Sequence, residues 1–138
     1  MPTTKKRAQG RKNRAAGTRF ELKVRNSLEN NGWDADKWTN NVDLQEGKLI
    51  KAKRKFNPFS KVIMMSSGFP DLICFRKIVS GNQYEVIGVE AKANGWLDKE
   101  EKEKCKWLLK NEVFSRVLIA KKGKKRGEIE YADFKEKY

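Results

Sequence analysis

A chain of 138 residues with 38% hydrophobic side chains is long enough for one hydrophobic core and short for two, so we expect a single domain. Lysine and arginine number 32 against 18 aspartate and glutamate residues, and this net charge of +14 favours a polyanionic partner, nucleic acid ahead of a membrane surface. The sequence contains no histidine, which excludes Ser-His-Asp and Cys-His nucleophiles, histidine zinc sites and histidine general bases. Any hydrolytic chemistry must therefore use carboxylates, lysine and hard metal ions.

The hydropathy pattern contains no run of about 18 apolar residues and no apolar N-terminal segment, so we expect neither a membrane span nor a signal peptide. The expected location is cytoplasmic, within the cell and associated with the nucleoid. The two cysteines, Cys74 and Cys105, both lie in apolar surroundings. We expect them to be buried free thiols and not a disulfide.

Three stretches of the chain are basic and free of acidic residues, at 1–16, 47–61 and 121–126. The first predicts a flexible basic N-terminal arm that becomes ordered on a phosphate backbone, which leaves 17–138 as the single domain. Each stretch alone is also compatible with a solubilising surface or turn. Together, the three favour a nucleic-acid partner.

The first predicted element is a helix over 18–30, because Phe20, Val24 and Leu28 recur every four residues between a Gly-Thr cap and Asn31-Gly32. A short strand is predicted at 33–39. The next segment, 40–68, is too long for a bare loop in a compact domain, so two short strands are predicted near 48–55 and 61–66.

The second half predicts central strands at 71–76 and 84–93, since both are apolar on two faces. A helix follows over 97–111, with Asp98 as its N-cap and an inward stripe formed by Cys105, Leu108 and Leu109. A buried strand is predicted at 115–122 and an edge strand at 128–134. This order predicts a mixed β-sheet flanked by helices, in the α/β or α+β class.

Strand alternation brings three charged residues together at one end of the two central strands. Glu90 and Lys92 share a face of their strand, and if the strand at 71–76 is its antiparallel neighbour, Asp71 lies beside Glu90. Two carboxylates and an ammonium group suit phosphodiester hydrolysis assisted by a hard metal ion. The alternative is structural: Asp71 caps the turn after Pro70, and Glu90 and Lys92 form a solvated pair.

The sequence "FPD" at 69–71, followed after eighteen residues by "EAK" at 90–92, resembles the PD-(D/E)XK nuclease superfamily, which has the restriction-endonuclease-like fold. Within it, residues 17–122 are most similar to archaeal-type Holliday junction resolvases and VRR-type nuclease domains. The resemblance implies an α-β-β-β-α-β core, dependence on Mg²⁺ with Mn²⁺ as a substitute, a DNA substrate and a homodimer.

The same resemblance implies the roles of the site residues. Asp71 and Glu90 would be the metal ligands, joined by the carbonyl of Ala91, while Lys92 positions the attacking water and Glu21 acts as a further ligand or through a bound water. Ser66 or Ser67 lies where resolvases often carry a serine. The VRR-type glutamine near the start of the second helix is absent from "DKEEKEKCK".

The expected function is therefore that of a metal-dependent endonuclease, with branched DNA as the first choice of substrate and a role in recombination or repair. Flaps, nicks and duplex DNA, in repair or defence, are alternatives. A non-catalytic basic nucleic-acid-binding protein and a degenerate nuclease fold used as an interaction module are rivals from other classes. The residues expected to contact DNA are Lys5, Lys6, Arg7, Arg11, Lys12, Arg14, Arg19, Lys51, Lys53, Arg54 and Lys55.

Overall fold

A computed structural model describes residues 4–52, 54–57, 62–65, 68–78 and 81–138. Within these ranges the chain has a mixed α+β fold with three helices and nine strands. In chain order they are α1 (Thr4–Asn30), β1 (Asp34–Lys37), β2 (Asn40–Asp43), β3 (Lys48–Lys51), β4 (Arg54–Asn57), β5 (Val62–Met65), β6 (Leu72–Lys77), β7 (Tyr84–Ala91), α2 (Lys99–Lys110), β8 (Arg116–Lys122), β9 (Ile129–Asp133) and α3 (Phe134–Lys137). None of the helices in the described ranges has the length and apolar character needed to cross a bilayer.

The main sheet has five strands in the order β1-β6-β7-β8-β9. Only β7 and β8 pair in parallel, and α2 provides the crossover that such a pair requires. The predicted central positions of β6 and β7, the predicted burial of β8 and the predicted edge position of β9 are confirmed. Two separate hairpins, β2–β3 and β4–β5, occupy most of the segment between β1 and β6.

Helix α1 packs through Phe20, Val24 and Leu28, as predicted, against a buried cluster that includes Leu72 and Val89. The predicted start of this helix at residue 18 is wrong, because α1 begins at Thr4 and continues without a break through the basic segment. The segment consists mainly of lysine, arginine, alanine and glutamine, which favour helix, and this outweighs the one glycine within it, Gly10. The division of the chain into an arm and a domain stays a prediction.

Helix α2 begins after Asp98, the predicted N-cap, whose carboxylate accepts a hydrogen bond of 2.8 Å from the Glu101 backbone. Glu101 returns a contact to the backbone of Asp98, which completes a capping box. The helix buries Cys105 and Leu108 in a second cluster that includes Val117 of β8. Both cysteines are buried free thiols, so that prediction is confirmed.

The two clusters are separated by alternation along β7. Ile87 and Val89 belong to the α1 cluster, whereas Val86 packs on the α2 cluster, so Glu90 lies on the same face of β7 as Val86. The antiparallel register of β6 and β7 pairs Leu72 with Val89, so the residue before β6 lies opposite Glu90. The fold therefore brings Asp71 and Glu90 together at one edge of the sheet.

Glycine is required beneath this edge. A Cβ atom at Gly88 would lie 2.7 Å from the Cγ atom of Pro70 and 2.9 Å from the ring of Phe114. Contacts this close do not occur in real structures, so any larger residue at position 88 would displace the proline that precedes Asp71. The small residue in the middle of β7 thus helps to fix the position of the carboxylate.

Candidate active site

Asp71 and Glu90 are joined by two hydrogen bonds across the β6–β7 pair. The Asp71 backbone N–H donates to Oε1 of Glu90 at 3.1 Å, and the Ala91 backbone N–H donates to Oδ2 of Asp71 at 3.0 Å. Each carboxylate is thus oriented by the main chain of the opposite strand. The structure brings together the two acids that strand alternation placed side by side.

Glu90 is the one acidic or basic side chain that is buried among the described residues, with a relative exposure of 4%. Burial raises the pKa of Glu90 far above its ordinary value of 4.5, and the adjacent Asp71 carboxylate adds to the effect. Lys92 opposes it only in part. Without a cation, Glu90 therefore keeps a proton at neutral pH.

Lys92 reaches two carboxylates from the residue after β7. Its Nζ atom lies 2.7 Å from Oε2 of Glu101 and 3.9 Å from Oε2 of Glu90. Burial favours the neutral amine, but the hydrogen bond to Glu101 and the negative charge of that carboxylate outweigh it and raise the pKa of Lys92. Lys92 is therefore a fixed cation, suited to orienting a water or a phosphate oxygen and not to removing a proton at neutral pH.

Glu101 is a site residue that the sequence did not reveal, since its position predicted only a place in the first turn of α2. One of its carboxylate oxygens accepts from the Asp98 backbone at 3.0 Å, and the other binds Lys92. The Asp-x-x-Glu spacing is typical of a capping box, so it predicts the contact of Glu101 with the Asp98 backbone. It does not predict the contact of Glu101 with Lys92. Helix α2 thus contacts the site through a glutamate, although the expected glutamine is absent.

Glu21 of α1 also faces the site and is partly buried. Burial raises its pKa, and the negative charge of Asp71 raises it further, while Lys37 and Arg25 act in the opposite direction. A third carboxylate therefore lines the cleft beside Asp71, and its part in binding a metal stays a prediction.

An open cleft of about 670 Å³ contains all these groups. Its lining includes Glu21, Asp71, Glu90, Ala91, Lys92 and Glu101. Carboxylate oxygens are the ligands preferred by Mg²⁺, and two of them in contact create a negative potential that a divalent cation relieves, so the donor set fits such an ion. Across the described ranges, no group of three or more His, Cys, Asp or Glu side chains is arranged so that it could hold a metal ion.

The residues predicted to contact DNA are only partly described. Lys12 and Arg19 are exposed on α1, and Lys51 is exposed at the end of β3. The backbone of α1 also carries Lys5, Lys6, Arg7, Arg11 and Arg14, and that of β4 carries Arg54 and Lys55. Lys53, Ser66 and Ser67 lie outside the described residues.

Comparison with known proteins gives no relative: no protein-family model, curated protein or solved structure matches the chain. Neither a family nor a function is therefore available from similarity. A functional conclusion must depend on the residues in the cleft and on the charge of the surface around it.

Proposed function

We propose that this protein is a metal-dependent endodeoxyribonuclease whose site is built on Asp71, Glu90 and Lys92. The observation that carries the proposal is the Asp71–Glu90 pair, held by reciprocal backbone hydrogen bonds at the edge of a sheet and open to a cleft. A purely structural turn cap would leave Asp71 facing its own turn. Here it faces a second carboxylate, that of Glu90, whose burial disfavours its ionised form unless a cation is present.

The order of elements supports a restriction-endonuclease-like core. If the hairpins β2–β3 and β4–β5 are treated as an insertion, the elements that remain up to β8 are α1, β1, β6, β7, α2 and β8. This is the α-β-β-β-α-β order. The three strands of the first group are adjacent in the sheet, and β8 joins them in parallel through α2. The insertion coincides with the 40–68 segment that is longer than the simplest resolvases need.

Each residue of the site has a distinct task in this proposal. Asp71 and Glu90 would hold Mg²⁺ or Mn²⁺, with Glu21 and the Ala91 carbonyl as further ligands. The ion, when bound, supplies a polarised phosphoryl oxygen and a more acidic water. Lys92, kept cationic and oriented by Glu101, positions the nucleophilic water and stabilises the negative charge of the transition state.

The substrate is proposed to be DNA, with branched junctions first and flaps, nicks and plain duplex as alternatives. The excess of 14 positive charges supports a polyanion, because phosphate neutralisation releases counterions. Cutting a junction symmetrically requires two sites, so we propose a homodimer that works in recombination or repair.

The test uses labelled four-way junction, flap and linear duplex DNA with Mg²⁺, Mn²⁺, Ca²⁺ or EDTA. Wild type, Asp71→Asn, Glu90→Gln and the control Glu103→Gln are compared. Glu103 lies on the exposed side of α2 and pairs with Lys106 at 3.2 Å, so its replacement removes an acidic charge without touching the site. We expect cleavage in Mg²⁺ by wild type and control, and a rate lower by about 100-fold or more in the other two variants.

Two results would contradict the proposal. Absence of Mg²⁺- or Mn²⁺-dependent cleavage on every substrate would remove the enzyme function and favour the basic binding protein. Cleavage that survives both Asp71→Asn and Glu90→Gln would place the active site elsewhere. Binding of DNA in EDTA separates the two functions, because the carboxylate variants should bind as well as wild type.

A further inference from the structure

A basic surface lies next to the candidate active site and has no part in the chemistry proposed above. It is formed by Lys23 of α1 and by four residues at and after the end of β8, in the turn that leads to β9. We call these five residues the basic track: Lys23, Lys122, Lys124, Lys125 and Arg126. All five are exposed.

The basic track is continuous with the cleft. The cleft shares Gly17, Ala91 and Lys92 with a neighbouring groove of about 600 Å³. That groove shares Phe20 and Lys122 with a third hollow of about 230 Å³, whose lining contains every residue of the track. One concave surface therefore leads from the Asp71–Glu90 pair to the turn between β8 and β9.

The position of the track relative to the site is fixed by the backbone. Lys92 N–H donates to the Ala120 carbonyl at 2.9 Å, and Lys122 N–H donates to the Ala93 carbonyl at 3.1 Å. These two bonds connect the end of β8 to the residues that follow β7. Strand β8, which ends at Lys122 of the basic track, is thus held directly against the segment that contains Lys92.

The charges of the track are largely uncompensated. In the described part of the chain, none of its five side chains forms an ion pair, whereas the neighbouring Lys121 pairs with Glu130 at 3.6 Å. Glu128, whose carboxylate accepts a hydrogen bond of 3.1 Å from the Lys125 backbone, lines the same hollow and offsets one of the five positive charges. Five cations facing one groove repel each other unless an anion enters it.

We propose that the basic track binds the sugar-phosphate backbone of the nucleic-acid strand on one side of the cleavage site. The part of this statement that concerns cleavage rests on the proposed nuclease function, whereas binding of nucleic acid by the track does not. A membrane surface is the less suitable partner, because the track lines a groove and no large exposed hydrophobic side chain of the described residues lies between 121 and 129.

The proposal adds a direction to the substrate. Lysine and arginine contacts to phosphates fix the register of the duplex but do not read its sequence. A strand whose scissile phosphate lies at Asp71 and Glu90 would therefore extend along α1 toward the turn at 123–127. Binding of that flank should depend strongly on salt, and the salt slope should fall by about one for each phosphate that the protein no longer neutralises.

The test compares two variants that lose the same charge. The track variant combines Lys122→Ala, Lys124→Ala and Lys125→Ala. The control variant combines Lys77→Ala, Lys106→Ala and Lys110→Ala, three exposed lysines that line none of the three connected cavities of the described chain. Affinity for labelled duplex and single-stranded DNA is measured in EDTA across a salt series, with circular dichroism to verify folding.

We expect the track variant to bind DNA at least about 30-fold more weakly, with a salt slope lower by about 2 to 3, and the control variant to change by less than about 3-fold. Equal losses of affinity in the two variants, or no loss in the track variant, would overturn the proposal. A track variant that loses binding only to phosphatidylserine vesicles, and keeps DNA binding, would also overturn it.

A footprint tests the direction separately. In the Asp71→Asn background, hydroxyl-radical protection by the wild-type track should extend to one side of the cleavage position, and the track substitutions should remove that protection alone. Symmetric loss of protection would refute the assignment to one flank. If wild type does not cleave any substrate, the nuclease proposal fails, yet a track-dependent affinity in EDTA would still support the binding site.

Discussion

Replacing Glu90 with glutamine should stabilise the protein in the absence of metal while abolishing the proposed nuclease activity. Glutamine keeps a carbonyl oxygen that can accept the Asp71 backbone N–H, now 3.1 Å from Oε1 of Glu90. Its amide can donate to the Asp71 carboxylate, which at present contacts another carboxylate. The substitution therefore retains the shape of the side chain and removes the need to bind a proton.

The size of the effect follows from the pKa of Glu90, which is raised from 4.5 to about 11. A raised pKa means that the folded state binds the proton more tightly than the unfolded state. Proton binding by Glu90 therefore contributes its full stability below pH 4.5, and this contribution is lost as pH rises toward the pKa of the folded state. At about pH 7.5, roughly three pH units at about 1.4 kcal/mol each give an upper limit of about 4 kcal/mol. Relaxation of the site will reduce this, and we expect about 1–3 kcal/mol, the order found for single buried polar groups.

The assay is urea unfolding in EDTA at several pH values between about 5 and 8.5. In this range the titration of Glu90 alone can change the free energy of unfolding by up to about 1.4 kcal/mol per pH unit. The free energy of unfolding of wild type should fall, relative to Glu90→Gln, as pH rises. The control Glu103→Gln should follow wild type. Parallel pH profiles for wild type and Glu90→Gln, or a variant that is less stable than wild type at about pH 8.5, would refute the reasoning about the buried carboxylate.

Three further predictions concern the surroundings of the site. Glu101→Ala should lower cleavage by about 10- to 100-fold by releasing Lys92, and Glu101→Gln should recover part of it, as measured by kcat on one junction substrate. Gly88→Ala should lower the free energy of unfolding by about 1–3 kcal/mol, because the new methyl group clashes with Pro70. In the same urea assay, Gly17→Ala should raise the free energy of unfolding by about 0.5–1 kcal/mol, because there is open space around its Cβ position. Both cysteine thiols, whose pKa values burial raises to about 12, should resist Ellman's reagent until urea unfolds the protein; rapid reaction in buffer would contradict their burial.

The pairing of Asp71 with Glu90 was predictable because it depends on two rules with little freedom. Side chains alternate along a strand, and a short connection between neighbouring strands favours an antiparallel pair, so the register follows from the hydrophobic pattern. The β6–β7 pair has that register, with Leu72 opposite Val89. The N-cap at Asp98 was predictable for a similar reason, since capping depends on a few adjacent residues.

The contact between Lys92 and Glu101 was not predictable in the same way. It joins the residue after a strand to the first turn of a helix, and its existence depends on how α2 lies across the sheet, which no local pattern encodes. The apolar periodicity of α1 begins only at Phe20, so it does not predict the first four turns of the helix, although lysine, arginine and alanine favour helix without it. The hairpins between β1 and β6 were predicted only as two strands, since short polar strands leave a weak signal.

The electrostatics of the site favour an enzyme over a protein that only binds nucleic acid. A binding protein needs exposed cations, and the basic track supplies five of them. It gains nothing from placing Glu90, whose relative exposure is 4%, against Asp71. At neutral pH this arrangement lowers the free energy of unfolding by up to about 4 kcal/mol, out of a total that is typically about 5–15 kcal/mol. At the proposed metal site, a bound divalent cation would recover that loss, because it would stabilise the ionised carboxylates and remove the need for a proton. Added Mg²⁺ or Mn²⁺ should therefore raise the unfolding midpoint of wild type and leave that of Glu90→Gln unchanged, and a cation effect of equal size in both proteins would count against the metal site.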